Sequence, residues 1–332
     1  MKNTIEKALQ KQNEAKRRQQ AASKVNEPAS DELLQPSGVS PEPNIKEANT
    51  SQTISAGVKQ PSVTETKNSD GITPSSANME RGQTSSLPEF KIDLERLEEK
   101  GHISIAGERK QINEEYREIK RKLLANAFGS LAKTLHNPNI IMVSSSRPSE
   151  GKTFTAVNLA LSIAAEQDKT VLLVDADVLK PNVLNTLGLE RRKGLMEYLT
   201  GDVEDISDVL YPTNIEKLKI IPAGKSHHLS TELLASQKMH ETVDEFANRY
   251  PDRIVIFDTP PLIGITESAI LANFAGQAVV VVEEGKAKIG DIKMSVERLN
   301  PDMAIGFVVN KSVHNDTDGS GYYGYYYAER SK

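Results

Sequence analysis

From residue 139 onward, short apolar runs alternate with stretches in which apolar residues recur every three or four positions. The runs predict strands at Ile140–Ser144, Val171–Asp175, Leu218–Ile221, Ile254–Asp258, Ala278–Val282 and Ile305–Asn310. The stretches between them predict helices at Thr153–Glu166, Thr231–Arg249, Ile265–Phe274 and Ile289–Leu299. Strands rich in Val and Ile that are apolar on both faces belong in a parallel sheet covered by helices on both sides. Right-handed crossovers then bring every strand C-terminus to one edge, where ligands of such sheets bind. The expected fold class is α/β, and no internal repeat is visible.

The rest of the chain has other rhythms. Residues 91–136 are helical in pattern, with Leu94 and Leu97, then Ile112, Tyr116, Ile119, Leu123, Leu124 and Phe128 at helical spacing. Residues 22–90 are rich in Ser, Thr, Asn, Pro, Gln and Glu; they cannot bury enough apolar surface to offset the entropy of ordering and read as a disordered linker. Residues 1–21 place Ile5, Ala8 and Leu9 at helical spacing, which fits either a docking helix or a solvated helical arm. The expected domain is therefore 91–312, and 313–332 is expected to be a flexible tail. Five of the nine tyrosines, Tyr322, Tyr323, Tyr325, Tyr326 and Tyr327, sit on that tail behind a run of Asp, Asn, Gly and Ser. Aromatic rings normally go where they leave water; on a terminus their hydroxyls are accessible to chemistry. Tyr116, Tyr198, Tyr211 and Tyr250 read as packing residues.

Composition narrows the options. The 332 residues include no cysteine, which excludes disulfides, thiolate metal sites and a cysteine nucleophile. A net charge of −5 argues against bulk nucleic-acid binding. Neither a signal-like apolar run within residues 1–24 nor a stretch of about 18 apolar residues occurs, so the expectation is a chain that does not itself span a membrane. The His227–His228 pair has no acidic or histidine partner at metal-ligand spacing and reads as a loop; Lys311 reads as a surface lysine.

Three strand ends carry chemistry. Ser146-Arg-Pro-Ser-Glu-Gly151-Lys152-Thr153 follows a strand and opens a helix, the context of a phosphate-binding loop. Lys152 would reach the β- and γ-phosphates and Thr153 would ligate Mg²⁺; Ser146 stands where the strict pattern has glycine. Val171–Asp175 ends in a carboxylate, and Asp177 follows two residues on, on the same face of an extended chain; the pair either faces a metal–phosphate centre or caps the strand in solvent. Arg253–Asp258 followed by Thr-Pro-Pro is a strand ending in the aspartate that holds Mg²⁺ in P-loop enzymes.

With these motifs the chain resembles the bacterial tyrosine kinases of the CpsD/CapB type, within the MinD/ParA-like class of P-loop ATPases. The likeness covers roughly residues 105–327 and is strongest to autokinases of exopolysaccharide loci linked to exosortase systems. Pro148–Thr153 matches the family's Pro-x-Glu-Gly-Lys-Thr, with Ser149 where glycine is frequent. Asp175, Asp177 and Pro181 match its second motif, with Lys180 in place of arginine. The resemblance implies ATP and Mg²⁺ as cofactors. It assigns catalysis to Lys152, Asp175 and Asp177, and nucleotide contacts to Ser149, Glu150, Gly151, Lys152, Thr153, Phe154 and Asn310, the last at the adenine. Thr153, Asp175 and Asp258 are the expected metal residues, and Tyr322, Tyr323, Tyr325, Tyr326 and Tyr327 the expected phosphoacceptors. Glu114-x-x-Arg117-x-x-Lys120 is similar to the family's oligomerisation helix; by spacing alone it is an ordinary salt-bridged face. The family further implies phosphorylation between subunits of a homo-oligomer, a transmembrane polysaccharide co-polymerase as activator, a tyrosine phosphatase that resets the tail, and a cytoplasmic protein recruited to the membrane's inner face. Two rival readings are a MinD/ParA-type positioning ATPase, which carries a lysine where Arg147 stands, and a scaffold without catalysis.

Overall fold

The computed structural model describes residues 87–105 and 110–312; the arm at 1–21, most of the 22–90 linker and the tail at 313–332 lie outside them. Among the described residues seven strands form one sheet: β1 (Ile140–Ser145), β2 (Thr170–Asp175), β3 (Tyr211–Pro212), β4 (Leu218–Ile221), β5 (Arg253–Asp258), β6 (Gln277–Glu283) and β7 (Ala304–Asn310). Their order is β3-β4-β2-β5-β1-β6-β7. All neighbours run parallel except β3, which pairs antiparallel with β4 and so departs from the expected all-parallel sheet. β3 is two residues long and contains proline, two features that blunt a sheet edge.

Nine helices flank the sheet among the described residues: α1 (Leu94–Glu99), α2 (Gln111–Phe128), α3 (Lys152–Ala164), α4 (Val183–Leu187), α5 (Leu195–Thr200), α6 (Ser230–Leu234), α7 (Gln237–Asn248), α8 (Thr266–Ala272) and α9 (Ile289–Val296). Every residue of β1, β5 and β6 is buried, as two covered faces require. The single helix expected over Thr231–Arg249 is two. Ser236 accepts a hydrogen bond from the Met239 amide at 3.3 Å and caps α7, so the chain breaks at Ala235. The last residues assigned to the linker, 87–90, belong to the folded unit: Phe90 is buried, bonds backbone to backbone with Pro212 and Asn214, and stacks near Tyr211.

Register places the chemistry. Across β2 and β5, Asp175 lies beside Asp258; across β5 and β1, Asp258 lies beside Val143, two residues before the strand ends in Ser145. The phosphate-loop sequence thus leaves the sheet at the same edge as both aspartates. Behind that loop, α3 is buried along almost its whole length. The segment before α2 is latched to it. Asn158 Oδ1 accepts from the Ile103 amide at 2.9 Å and faces His102 Nδ1 at 3.2 Å, and the His102 ring lies 4.6 Å from the Phe154 ring. α2 packs on α3 through Tyr116, whose hydroxyl burial pushes up to about 12. Lys120 also points inward: its ammonium donates to the Ser162 carbonyl at 3.0 Å and pairs with Glu166 at 2.6 Å.

Burial lowers the His102 imidazole below its ordinary 6.5, with the Asn158 bond opposing. A depressed folded-state value means the histidine contributes stability above about pH 6.5 and loses it as pH falls through the folded value. His102→Asn, which keeps an amide toward Asn158, is expected to flatten the acid-side loss. Urea midpoints at pH 7.5 and 5.5 should differ less for the variant than for the wild type.

Candidate active site

The loop after β1 is held by its own side chains and by distant ones. The Ser145 hydroxyl donates to the Arg147 carbonyl at 2.7 Å, and the Glu150 carboxylate accepts from the Arg147 amide at 2.8 Å, closing the loop on itself. The Ser146 hydroxyl, where the strict motif has glycine, shares a 2.8 Å hydrogen bond with Ser295 on α9. Arg147 makes two bonds to the Asp291 carboxylate, at 2.6 and 2.9 Å, and holds that carboxyl below its ordinary range. With Arg147 57% exposed, this pair contributes little stability; what it fixes is the angle of the loop against α9.

Two backbone positions are left-handed, Ser149 at φ 69° and Gly151 at φ 103°. The end of β7 grips the carbonyls between them. Lys311 Nζ donates to the Ser149 carbonyl at 2.7 Å and Asn310 Nδ2 to the Glu150 carbonyl at 2.9 Å, while Glu283 holds the Lys311 ammonium at 2.9 Å. A Cβ on Gly151 would sit 1.8 Å from Asn310 Nδ2, so only glycine fits this turn. With the carbonyls of 149 and 150 turned to β7, the loop amides and the free N–H groups of the first turn of α3 form a concavity suited to phosphate.

Beneath the loop three carboxylates surround one ammonium. Lys152 Nζ lies 2.6 Å from Asp177. Its burial works against the charge, but Asp258, Asp177 and Asp175 outweigh it and raise the lysine above its usual value. The Asp177 carboxylate also accepts from the Lys180 amide at 3.0 Å, so Lys180 serves here through its backbone. Asp258 is fully buried and accepts from the Thr153 hydroxyl at 2.7 Å; burial raises its carboxyl to about 6, against the pull of Lys152. Asp175 accepts from the amides of Asn182 and Val183 at 3.1 and 3.0 Å; burial, then the charge of Asp258, push it well above the carboxylate range. Among the described residues, Asp175 Oδ1 and Asp258 Oδ1 are buried without a hydrogen-bond partner.

The donor set fits Mg²⁺. Two orphaned carboxylate oxygens and a hydroxyl on one of the carboxylates, with a surplus of negative charge, suit a hard divalent cation. No group of three or more His, Cys, Asp or Glu cages a metal among the described residues. Mg²⁺ does not need one, because it keeps several waters and takes substrate phosphate oxygens.

The structure thus gathers Ser149, Glu150, Gly151, Lys152, Thr153, Asp175, Asp177, Asp258 and Asn310 at one sheet edge. Phe154 turns toward His102. Asn310 has half of its amide committed to the loop, leaving its oxygen for a further partner. Glu114 and Arg117 form an ion pair on a part-exposed face of α2, and Lys120 does not join them because it is buried against α3. Tyr322 to Tyr327 lie outside the described residues. Sequence reasoning missed Asp291, Ser295, Glu283 and the role of Lys311, which is exposed as expected and yet clamps the loop. Only the adjacency of Lys311 to Asn310 hinted at it.

Residues 138–299 match the AAA domain family. The chain is 32% identical over 220 residues to the tyrosine-protein kinase YwqD of Bacillus subtilis, covering 65% of this chain and 89% of that one. It is 33% identical over 185 residues to a putative tyrosine-protein kinase EpsB of Ralstonia nicotianae, 55% of this chain, and spans only 24% of that longer relative. Among solved structures, the chimerical protein CapA2B2 superposes with a TM-score of 0.55 at 25% identity, over 62% of this chain and 87% of that one.

Ser149 carries a strain that glycine would not, about 1–2 kcal/mol for a left-handed non-glycine residue, partly offset by the greater unfolded-state entropy of glycine. Ser149→Gly is expected to raise the thermal midpoint by about 1–3 °C. Gly151→Ala should lower it, since the Asn310 latch must open; calorimetry of the two variants checks both signs.

Proposed function

We propose that this chain, which belongs to the bacterial tyrosine-protein kinase family, transfers the γ-phosphoryl group of ATP to the tyrosines of its own C-terminal tail. The observation that carries this reading is the convergence of Lys152 and Thr153 with Asp175 and Asp258 at one buried edge, in a chain whose last eleven residues hold five tyrosines. Phosphoryl transfer needs positioning and charge neutralisation more than covalent help. The loop amides cradle the β-phosphate. Lys152 leaves Asp177 for the phosphate oxygens, replacing one anionic partner with another. Thr153 and Asp258, with Asp175 nearby, would hold Mg²⁺, which when bound would supply charge neutralisation for the phosphates. A tyrosine oxygen attacks the γ-phosphorus, the bond to the β-bridging oxygen breaks, and ADP departs. The phenolic proton passes to Asp175, whose burial lifts its basicity toward that task.

The tail of one subunit serves the site of the next in a homo-oligomer, with the Glu114–Arg117 face of α2 as the self-association surface. By its family resemblance the protein regulates exopolysaccharide synthesis and export. A transmembrane co-polymerase activates it at the inner face of the membrane and a tyrosine phosphatase resets it. No helix among the described residues is long and apolar enough to cross a membrane. Against the positioning-ATPase reading stands Arg147: the position from which those enzymes reach across a dimer is bound within this chain to Asp291.

The test is purified protein with Mg²⁺–ATP, probed for phosphotyrosine. Lys152→Ala is expected to lose about 10²–10³ in rate, the usual cost of removing a group aimed at transition-state charge. Replacing Tyr322, Tyr323, Tyr325, Tyr326 and Tyr327 by phenylalanine should abolish the tail signal and leave ATP turnover. ATP hydrolysis with no phosphotyrosine in the wild type would instead support the positioning ATPase.

A further inference from the structure

Beside Asp175 opens a cavity of about 1240 Å³, walled by the segments that follow β2 and β4. It is far larger than one phenol ring needs, and its walls carry charge. The exposed side chains of Arg191, Lys193 and Lys225 line it, and none of the three forms an ion pair or side-chain hydrogen bond among the described residues. The other charges around it have partners, although Asp202 remains an exposed carboxylate on the same wall. Arg192 lies over the Phe90 ring at 4.1 Å and over Tyr211 at 5.1 Å. Glu197 is buried and accepts from the amides of Gly194 and Lys225, at 2.7 and 3.0 Å, and Asp202 accepts from the Thr200 hydroxyl at 3.1 Å. The cavity therefore offers three free cations on its rim and, where it meets the catalytic edge, a buried carboxylate with one unpartnered oxygen.

The chain's own acceptor segment offers nothing anionic to that rim at first. From Tyr322 to Tyr327 it contains only tyrosine and glycine. Each phosphorylation adds a charge of about −1.5 to −2 and three strong acceptor oxygens. In an extended segment the next tyrosine lies only about 3.5–7 Å from the one being modified, within the span of such a cavity. We propose that Arg191, Lys193 and Lys225 form a subsite for a phosphotyrosine already made on the tail, so that the first phosphorylation primes those that follow. The inference rests on the kinase reading above and concerns only the order in which the tyrosines react.

Two measurements test it. In the first, intact-mass spectra of the autophosphorylating full-length protein are compared at equal mean phosphate per chain, which removes any difference in overall rate. Priming predicts an excess of unmodified and of multiply modified chains over a binomial distribution. Arg191→Gln/Lys193→Gln/Lys225→Gln, with an unchanged thermal midpoint, should return the distribution to binomial. A binomial wild type, or an excess that survives in the triple variant, overturns the subsite while leaving the kinase reading intact; no phosphotyrosine at all removes both.

The second needs no catalysis. A peptide of residues 313–332 phosphorylated at Tyr325 should bind the full-length protein, in EDTA, roughly tenfold more tightly than the unmodified peptide, as expected for charge-assisted bonds. The triple variant should lose that preference. Equal affinity of the two peptides, or equal competition by an unrelated phosphoserine peptide, overturns the proposal.

Discussion

Three carboxylates share one buried corner of this protein with a single ammonium. Taking an ion out of water costs several kcal/mol even after relaxation, so Asp175, Asp177 and Asp258 can stay there only with compensation. Lys152 supplies some of it, and the Thr153 hydroxyl and the amides of Asn182 and Val183 supply more. What remains uncompensated appears as raised proton affinity on Asp175 and Asp258. An arrangement this unfavourable persists because the sheet leaves no alternative. Parallel pairing puts Asp175 directly beside Asp258, and the strands leading to them are packed on both faces.

That constraint explains the surroundings. A site with surplus negative charge attracts a divalent cation and its polyphosphate, provided that the loop above is already shaped to receive them. The shape is imposed from three sides: α9 through Asp291 and Ser295, β6 through Glu283, and β7 through Asn310 and Lys311. The loop is thus less a flexible glycine-rich turn than a strut held by the sheet's far edge, which is how it tolerates a left-handed serine at 149.

Much of this was legible in the sequence, for identifiable reasons. The central strands announced themselves because burial on both faces leaves unbroken Val and Ile runs. That Lys152, Thr153, Asp175 and Asp258 would meet at one edge was legible because each ends a strand or opens the helix after one, and parallel strands bring those ends together. The elements α4, α5 and β3 were not, since pieces of two to six residues give periodicity no room. The split between α6 and α7 hid inside a good helical pattern because a single serine decides it. Lys120 looked like a surface charge because its partners, Ser162 and Glu166, are tertiary. The clamps on the loop were out of reach altogether: Arg147 meets Asp291 across 144 residues, and Lys311 meets Ser149 across 162.

The clamp at the end of β7 has a further consequence for how the molecule feels force. Lys311 is both the last fastener of the nucleotide loop and the point from which the chain sets out toward its tyrosines, the first of them eleven residues on. A tether of that length reaches at most about 40 Å. Tension along that tether would arrive first at the residue whose ammonium holds the Ser149 carbonyl. One of the loop's several fasteners, beside Asn310, Asp291 and Ser295, is thus also the first to meet any load carried by the chain that follows.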